Sequence, residues 1–140
     1  MRVRVLGGLL IAAALVFGAC GEPASAVAAT TVTATLTDQA ISLSVPSVSV
    51  GKVSFKVVNS GTVVHSLVLI KTDTAHDKLP ADPRDASKVT ETGSVLATGQ
   101  VQVGQSKELT RDLAAGNYVV ICNEPAHYIV GMHIGFQVKK

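Results

Sequence analysis

From Thr31 to the end of the chain, apolar residues recur at every second position or in short unbroken runs. Val32, Ala34 and Leu36 alternate with threonines. Ile41, Leu43 and Val45 alternate with Ala40, Ser42 and Ser44 until Pro46 ends the run. Val53, Phe55 and Val57 alternate with Lys52, Ser54 and Lys56. A period of two puts one side chain in the core and the next in water, so these segments predict half-buried strands. Asn59-Ser60-Gly61 is a turn signal. Val63 to Ile70 is apolar on both faces apart from His65 and Ser66, which predicts a central strand. Lys71 to Thr92 breaks the pattern. It is polar, contains Pro80 and Pro83, and carries Asp73, Asp77, Asp82 and Asp85. It reads as a long surface excursion with room for one helical turn, a length that is often functional or mobile. Strands resume at 94–97 and 106–113. Gly116-Asn117 turns into a strand over 118–122, and the last strand runs from about Met132 to Lys139. Short strands with frequent turns predict an all-β, two-sheet Greek-key sandwich.

The start of the chain follows another rule. Arg2 and Arg4 precede an uncharged run of apolar and small residues from Leu6 to Ala19. A basic start followed by a short apolar stretch and small residues is the mark of an export signal. Such a run is too short to be a comfortable permanent membrane span. It ends Phe17-Gly18-Ala19-Cys20. This is similar to the lipobox of bacterial lipoproteins, with Phe17 where leucine is usual. The resemblance implies a lipid anchor on Cys20, and an ordinary signal peptide leaving a spare thiol is the alternative. The segment 21–30 is small and poor in bulky residues, and reads as a flexible tether spanning roughly 15–20 Å. The expected organisation is a signal peptide over 1–19, the lipobox cysteine and tether over 20–30, and one domain over 31–140. The chain would be exported and anchored on the extracytoplasmic side of the cell membrane.

Composition narrows the function. The chain has 140 residues, 47% hydrophobic and 16% charged, enough apolar material for one core. Its formal charge of +2 includes Arg2 and Arg4, so the remainder is balanced. With no basic stripe and 4% aromatic residues, nucleic acid is not an expected partner.

The candidate chemistry lies in Cys122-Asn-Glu-Pro-Ala-His127-Tyr-Ile-Val-Gly-Met132. A thiolate, an imidazole and a thioether fall five and five residues apart in a loop between two strands. With a second imidazole they make the ligand set of a blue-copper centre, and His65 is the natural candidate for that imidazole. Strand parity tests this idea. Tyr118, Val120 and Cys122 share one face; Met132, Ile134, Phe136 and Val138 share another, so Cys122 and Met132 both point inward. His65 shares parity with Val63, Leu67 and Leu69. His133 falls with Gln137 and Lys139 and should point outward. Zinc also accepts Cys and His, although a His2Cys set with methionine favours copper. A Cys20–Cys122 disulfide is the structural alternative for the thiols. His76, among aspartates, reads as a solvated loop histidine before it reads as half of a second metal site.

His65 followed by Cys122-x4-His127-x4-Met132 resembles the cupredoxin family of plastocyanin- and azurin-like electron carriers. The resemblance runs from about Thr31 to the end. It implies one copper ion with His65, Cys122 and His127 equatorial and Met132 axial. It implies that the backbone N–H of Ser66 bonds the cysteine sulfur, and that Pro125 stiffens the ligand loop. It also implies that His127 is the electron's exit within an apolar patch of Pro125, Ala126, Ile129 and Val130, although Ile129 and Val130 could equally pack inward. The function implied is single-electron transfer between redox proteins of a membrane electron-transport chain, by a monomer. Copper delivery is the alternative, but one methionine besides Met1 suits it poorly. A copper enzyme would need more histidines than the four present and a position open to substrate, so no catalysis is expected.

Overall fold

The computed structural model describes residues 28–140, all strands and loops among them. The expected signal over 1–19, the expected lipobox cysteine Cys20 and most of the expected tether lie outside the described residues. Eleven strands follow in order: β1 Thr30–Thr37, β2 Ala40–Leu43, β3 Ser47–Ser49, β4 Gly51–Asn59, β5 His65–Lys71, β6 Ala81–Asp82, β7 Asp85–Val89, β8 Ser94–Val101, β9 Ser106–Leu113, β10 Gly116–Ile121 and β11 His133–Lys139. One sheet has the order β2-β1-β4-β9 and the other β3-β11-β10-β5-β8. The connections β4–β5, β8–β9 and β9–β10 each pass from one sheet to the other, which makes the expected β-sandwich. Pairing is antiparallel except for β1 with β4 and β3 with β11.

The alternating segments do what period two requires. Val32, Ala34, Leu36, Val53, Phe55 and Val57 are buried against Leu67, Leu69, Tyr118, Val120, Phe136 and Val138 of the facing sheet. Phe55 and Phe136 meet edge-on across the gap, ring centroids 5.5 Å apart. Such a pair contributes about 0.5–1.5 kcal/mol beyond its buried area. Cys122 and Met132 belong to this same core.

The apolar run expected from Val63 starts its strand at His65, with Val63 left exposed. Asn59 defines that start. Its buried amide donates to Val63 O and Val101 O and accepts from Gly61 N, at 2.8–2.9 Å.

The Lys71–Thr92 excursion differs from expectation. It contains no helical turn but the β6–β7 hairpin. Asp82 and Asp85 explain the difference: each carboxylate accepts a backbone N–H two residues on, from Arg84 and Ser87, which favours a turn over a helix. The excursion is also not wholly a surface feature. Val89 and Leu79 pack with Val68, Ile70, Val119, Ile121 and Tyr128 in a second apolar cluster on the outer face of the larger sheet. That cover is why β5 is apolar on both faces.

Candidate metal centre

His65 is the first residue of β5, and Cys122 follows the last residue of β10. The two strands are neighbours, with Ile121 opposite Val68. His127 lies in the loop that joins β10 to β11. Cys122 N donates to Met132 O (3.0 Å) and closes the neck of this loop. Met132 N to His127 O and His127 N to Glu124 O, both 3.1 Å, fold its interior. Ala126 takes a left-handed backbone, φ 67°. For a residue with a Cβ this costs about 1–2 kcal/mol. The bond from Ala126 N to Ser87 O of β7 (2.8 Å) holds it there, so the excursion braces the ligand loop from outside.

A second brace is Asn123, 7% exposed. Its amide accepts from Val89 N and donates to Val89 O, both at 3.0 Å, and also donates to Glu91. Asn123→Ala leaves both Val89 backbone groups without partners. At about 1–3 kcal/mol per buried orphan group, it should destabilise the fold by roughly 2–4 kcal/mol, read as a lower urea midpoint. A midpoint equal to the parent's would show that β7 does not depend on this clamp.

The chain thereby brings three donors to one point. His65 Nδ1 and His127 Nδ1 are 3.1 Å apart, and Cys122 Sγ lies 3.7 and 3.4 Å from them. A point equidistant from three atoms so spaced lies about 2.0 Å from each, close to a metal–imidazole bond and slightly under a metal–thiolate bond. His65 and Cys122 are fully buried, and His127 is half-buried. The donor set therefore fits a soft-to-borderline metal ion. Met132 is fully buried, with both its backbone groups tied into the loop.

Burial pushes the Cys122 thiol up, partly opposed by the Ser66 backbone N–H that reaches Sγ at 3.3 Å. The free thiol is therefore protonated at neutral pH, and a metal must displace that proton. Desolvation, and then the neighbouring His65, push His127 down, so its ring is neutral and its nitrogen free to donate.

One functional residue had no signal in the sequence. Asp38, in the turn between β1 and β2, receives His65 Nε2–H at 3.3 Å. Thr62 donates both its hydroxyl and its backbone N–H to the same carboxylate at 2.7 Å, and these bonds bring its pKa to about 2. The contact fixes the His65 tautomer with Nδ1 turned to the other donors, and it adds a negative charge behind the ring. Gly61 completes the arrangement, because a Cβ there would fall on Asp38 Oδ1 and His65 Nε2. Asp38→Asn should weaken metal binding about tenfold, measured by competition with a chelator. An affinity equal to the parent's would reduce Asp38 to a turn residue.

Pro125, Ala126, Ile129 and Val130, which flank His127 along the loop, are exposed, with Ile129 at 68% and Val130 at 56%, so neither of the latter packs inward. His133 lies on the outer face, as parity requires. There it is half-buried, against Tyr128 and His76.

Residues 24–140 match the sulfocyanin (SoxE) domain. No curated protein matches the chain. Among solved structures, the dithionite-reduced auracyanin of the photosynthetic bacterium Roseiflexus castenholzii superposes with a TM-score of 0.59 at 24% identity, over 81% of this chain and 99% of that one. Auracyanin B gives 0.62 at 25% identity, over 80% and 90%. Rusticyanin from Thiobacillus ferrooxidans gives 0.58 at 19% identity, over 80% and 79%.

Proposed function

We propose, for a chain that belongs to the sulfocyanin (SoxE) domain family of cupredoxins, that it binds one copper ion and carries single electrons. The observation that carries this reading is the buried triangle of His65 Nδ1, His127 Nδ1 and Cys122 Sγ. His65, Cys122 and His127 would hold the ion, with Met132 as a further, weaker ligand. Copper, when bound, supplies a one-electron couple between Cu(I) and Cu(II).

The protein's part is to keep its donors still. His65 is held by Asp38, Cys122 by Ser66 N–H and Met132 O, and the His127 loop by Ser87 and Asn123. Donors fixed in this way need little rearrangement when the charge at the centre changes by one. The sandwich keeps water from the sulfur, since Cys122 is fully buried. His127 is the most exposed of the three donors, and Pro125, Ala126, Ile129 and Val130, which flank it in the same loop, are exposed. That apolar rim gives a redox partner a surface it can dry, so the electron passes through the His127 ring edge. The partners are redox proteins of a membrane electron-transport chain. The chain acts as a monomer anchored through Cys20 on the extracytoplasmic face. Three fixed donors and a buried methionine leave no position for substrate, which argues against catalysis. The burial of His65, Cys122 and Met132 argues against copper delivery, which needs exposed ligands.

The test is a titration of the metal-free protein with Cu(II), followed by visible absorption. An intense thiolate-to-copper band that saturates at one equivalent supports the reading. A colourless protein that still binds metal there would replace it with a zinc or Cu(I)-storage site.

A further inference from the structure

A second pair of histidines meets on the outer face of the larger sheet, 57 residues apart in sequence. His76 of the excursion and His133 of β11 approach with Nδ1 to Nδ1 at 2.8 Å. The atoms are the same, and the spacing nearly so, as in the His65–His127 pair at 3.1 Å.

The approach is built rather than incidental. The Tyr128 ring lies against His133, centroids 4.8 Å apart. The Tyr128 hydroxyl donates to His76 O (2.8 Å) and accepts from Leu79 N (2.9 Å). One buried phenol thus fixes both halves of the pair, packing on one ring and holding the backbone of the other. Gly135, two residues beyond His133, lies beside the His76 ring, where a Cβ would make only ordinary van der Waals contact at 3.8 Å.

We propose that His76 and His133 form a second, exchangeable site for a tetragonal divalent cation of the Cu(II) type. Metal–imidazole bonds of about 2.0–2.1 Å to two nitrogens so spaced enclose an angle of about 90°, the cis angle of a tetragonal complex rather than the wider tetrahedral one. In the metal-free pair, one Nδ1–H donates to the other Nδ1. On binding, that hydrogen moves to the free Nε2 of its own ring and the ion takes its place, with no net proton released. His76 is exposed, and it borders an open groove of about 390 Å³ whose polar lining includes Asp73, Thr74, Asn117 and Gln137. The remaining positions on the ion are filled by water from that side. No thiolate is present, so the site holds Cu(II) without the intense colour of the first, and it is open enough to release it. The inference does not depend on electron transfer at the first centre.

The experiment is a Cu(II) titration of the full chain, read together by visible absorption and electron paramagnetic resonance. The first equivalent should develop the thiolate band. The second should leave that band unchanged and add a tetragonal Cu(II) signal with nitrogen couplings. His76→Ala and His133→Ala should each remove the second signal while the first equivalent still binds, and the thiolate band reports that the variant is folded. Tyr128→Phe should weaken the second site about tenfold, because the His76 backbone loses its tether. Binding that stops at one equivalent, or a second signal that survives in His76→Ala, overturns the proposal.

Discussion

Replacing Cys122 with alanine is expected to abolish the intense visible band and to leave the copper affinity a small fraction of the parent's. The sulfur is the only anionic donor of the triangle, and it is fully buried. Without it, two neutral imidazoles would have to hold the ion with no anionic donor on the metal itself, leaving only the Asp38 carboxylate behind the His65 ring to offset the charge. The band itself is a thiolate-to-copper transition, so no rearrangement of the remaining donors can restore it. A second signature follows from the raised thiol. Because burial holds Cys122 protonated at neutral pH, copper uptake by the parent should release about one proton, and its affinity should fall about tenfold for each unit of acidification while the thiol is the titrating ligand. Cys122→Ala should release none and lose that slope. The variant should stay folded, since one buried sulfur costs on the order of 1 kcal/mol. A Cys122→Ala protein that still turned blue with one equivalent of Cu(II) would overturn the ligand assignment.

The site was legible because its ligands sit on elements whose periodicity is strict. Cys122 continues the parity of Tyr118 and Val120, and Met132 that of Phe136 and Val138, so the sequence alone points both into the core. His133 is outward by the same rule. What sequence could not supply was contact across the fold. Asp38 is 27 residues from His65, and nothing in Thr37-Asp38-Gln39 marks it as that ring's partner; only the packing of the β1–β2 turn over the start of β5 does so. Asn123 reads as an ordinary loop residue until β7 is laid beside it. The excursion was misread for a local reason. Its acidic and proline content signals exposure, while the two residues that cover the sheet, Leu79 and Val89, are isolated in sequence and have no period to betray them. His76 is exposed, as a solvated loop histidine should be, but it is not alone there. Its neighbour in space, His133, comes from a strand whose outward face was expected to meet water.

Met132→Leu should keep copper and the visible band but raise the reduction potential. Leucine conserves the volume of methionine, and such swaps in a core usually cost less than about 1.5 kcal/mol. Both backbone bonds at this position, Met132 O from Cys122 N and Met132 N to His127 O, are independent of the side chain. The loop should therefore close as before, and the change is confined to the loss of a thioether. Cu(I) is satisfied by few, soft ligands, whereas Cu(II) gains more from an additional donor, so removing a weak fourth ligand costs the oxidised state more. Each tenfold change in the ratio of the two affinities corresponds to about 59 mV for a one-electron couple. Asp38→Asn pushes the potential the same way by another route, by withdrawing negative charge from behind His65. Both changes act on the same ion, Asp38 through His65 and Met132 directly, so their effects should couple rather than simply add, and the double variant measures that coupling. Voltammetry of the parent, the single variants and the double variant separates the contributions. An unchanged potential in Met132→Leu would leave His65, Cys122 and His127 as the whole centre and return Met132 to the core as packing.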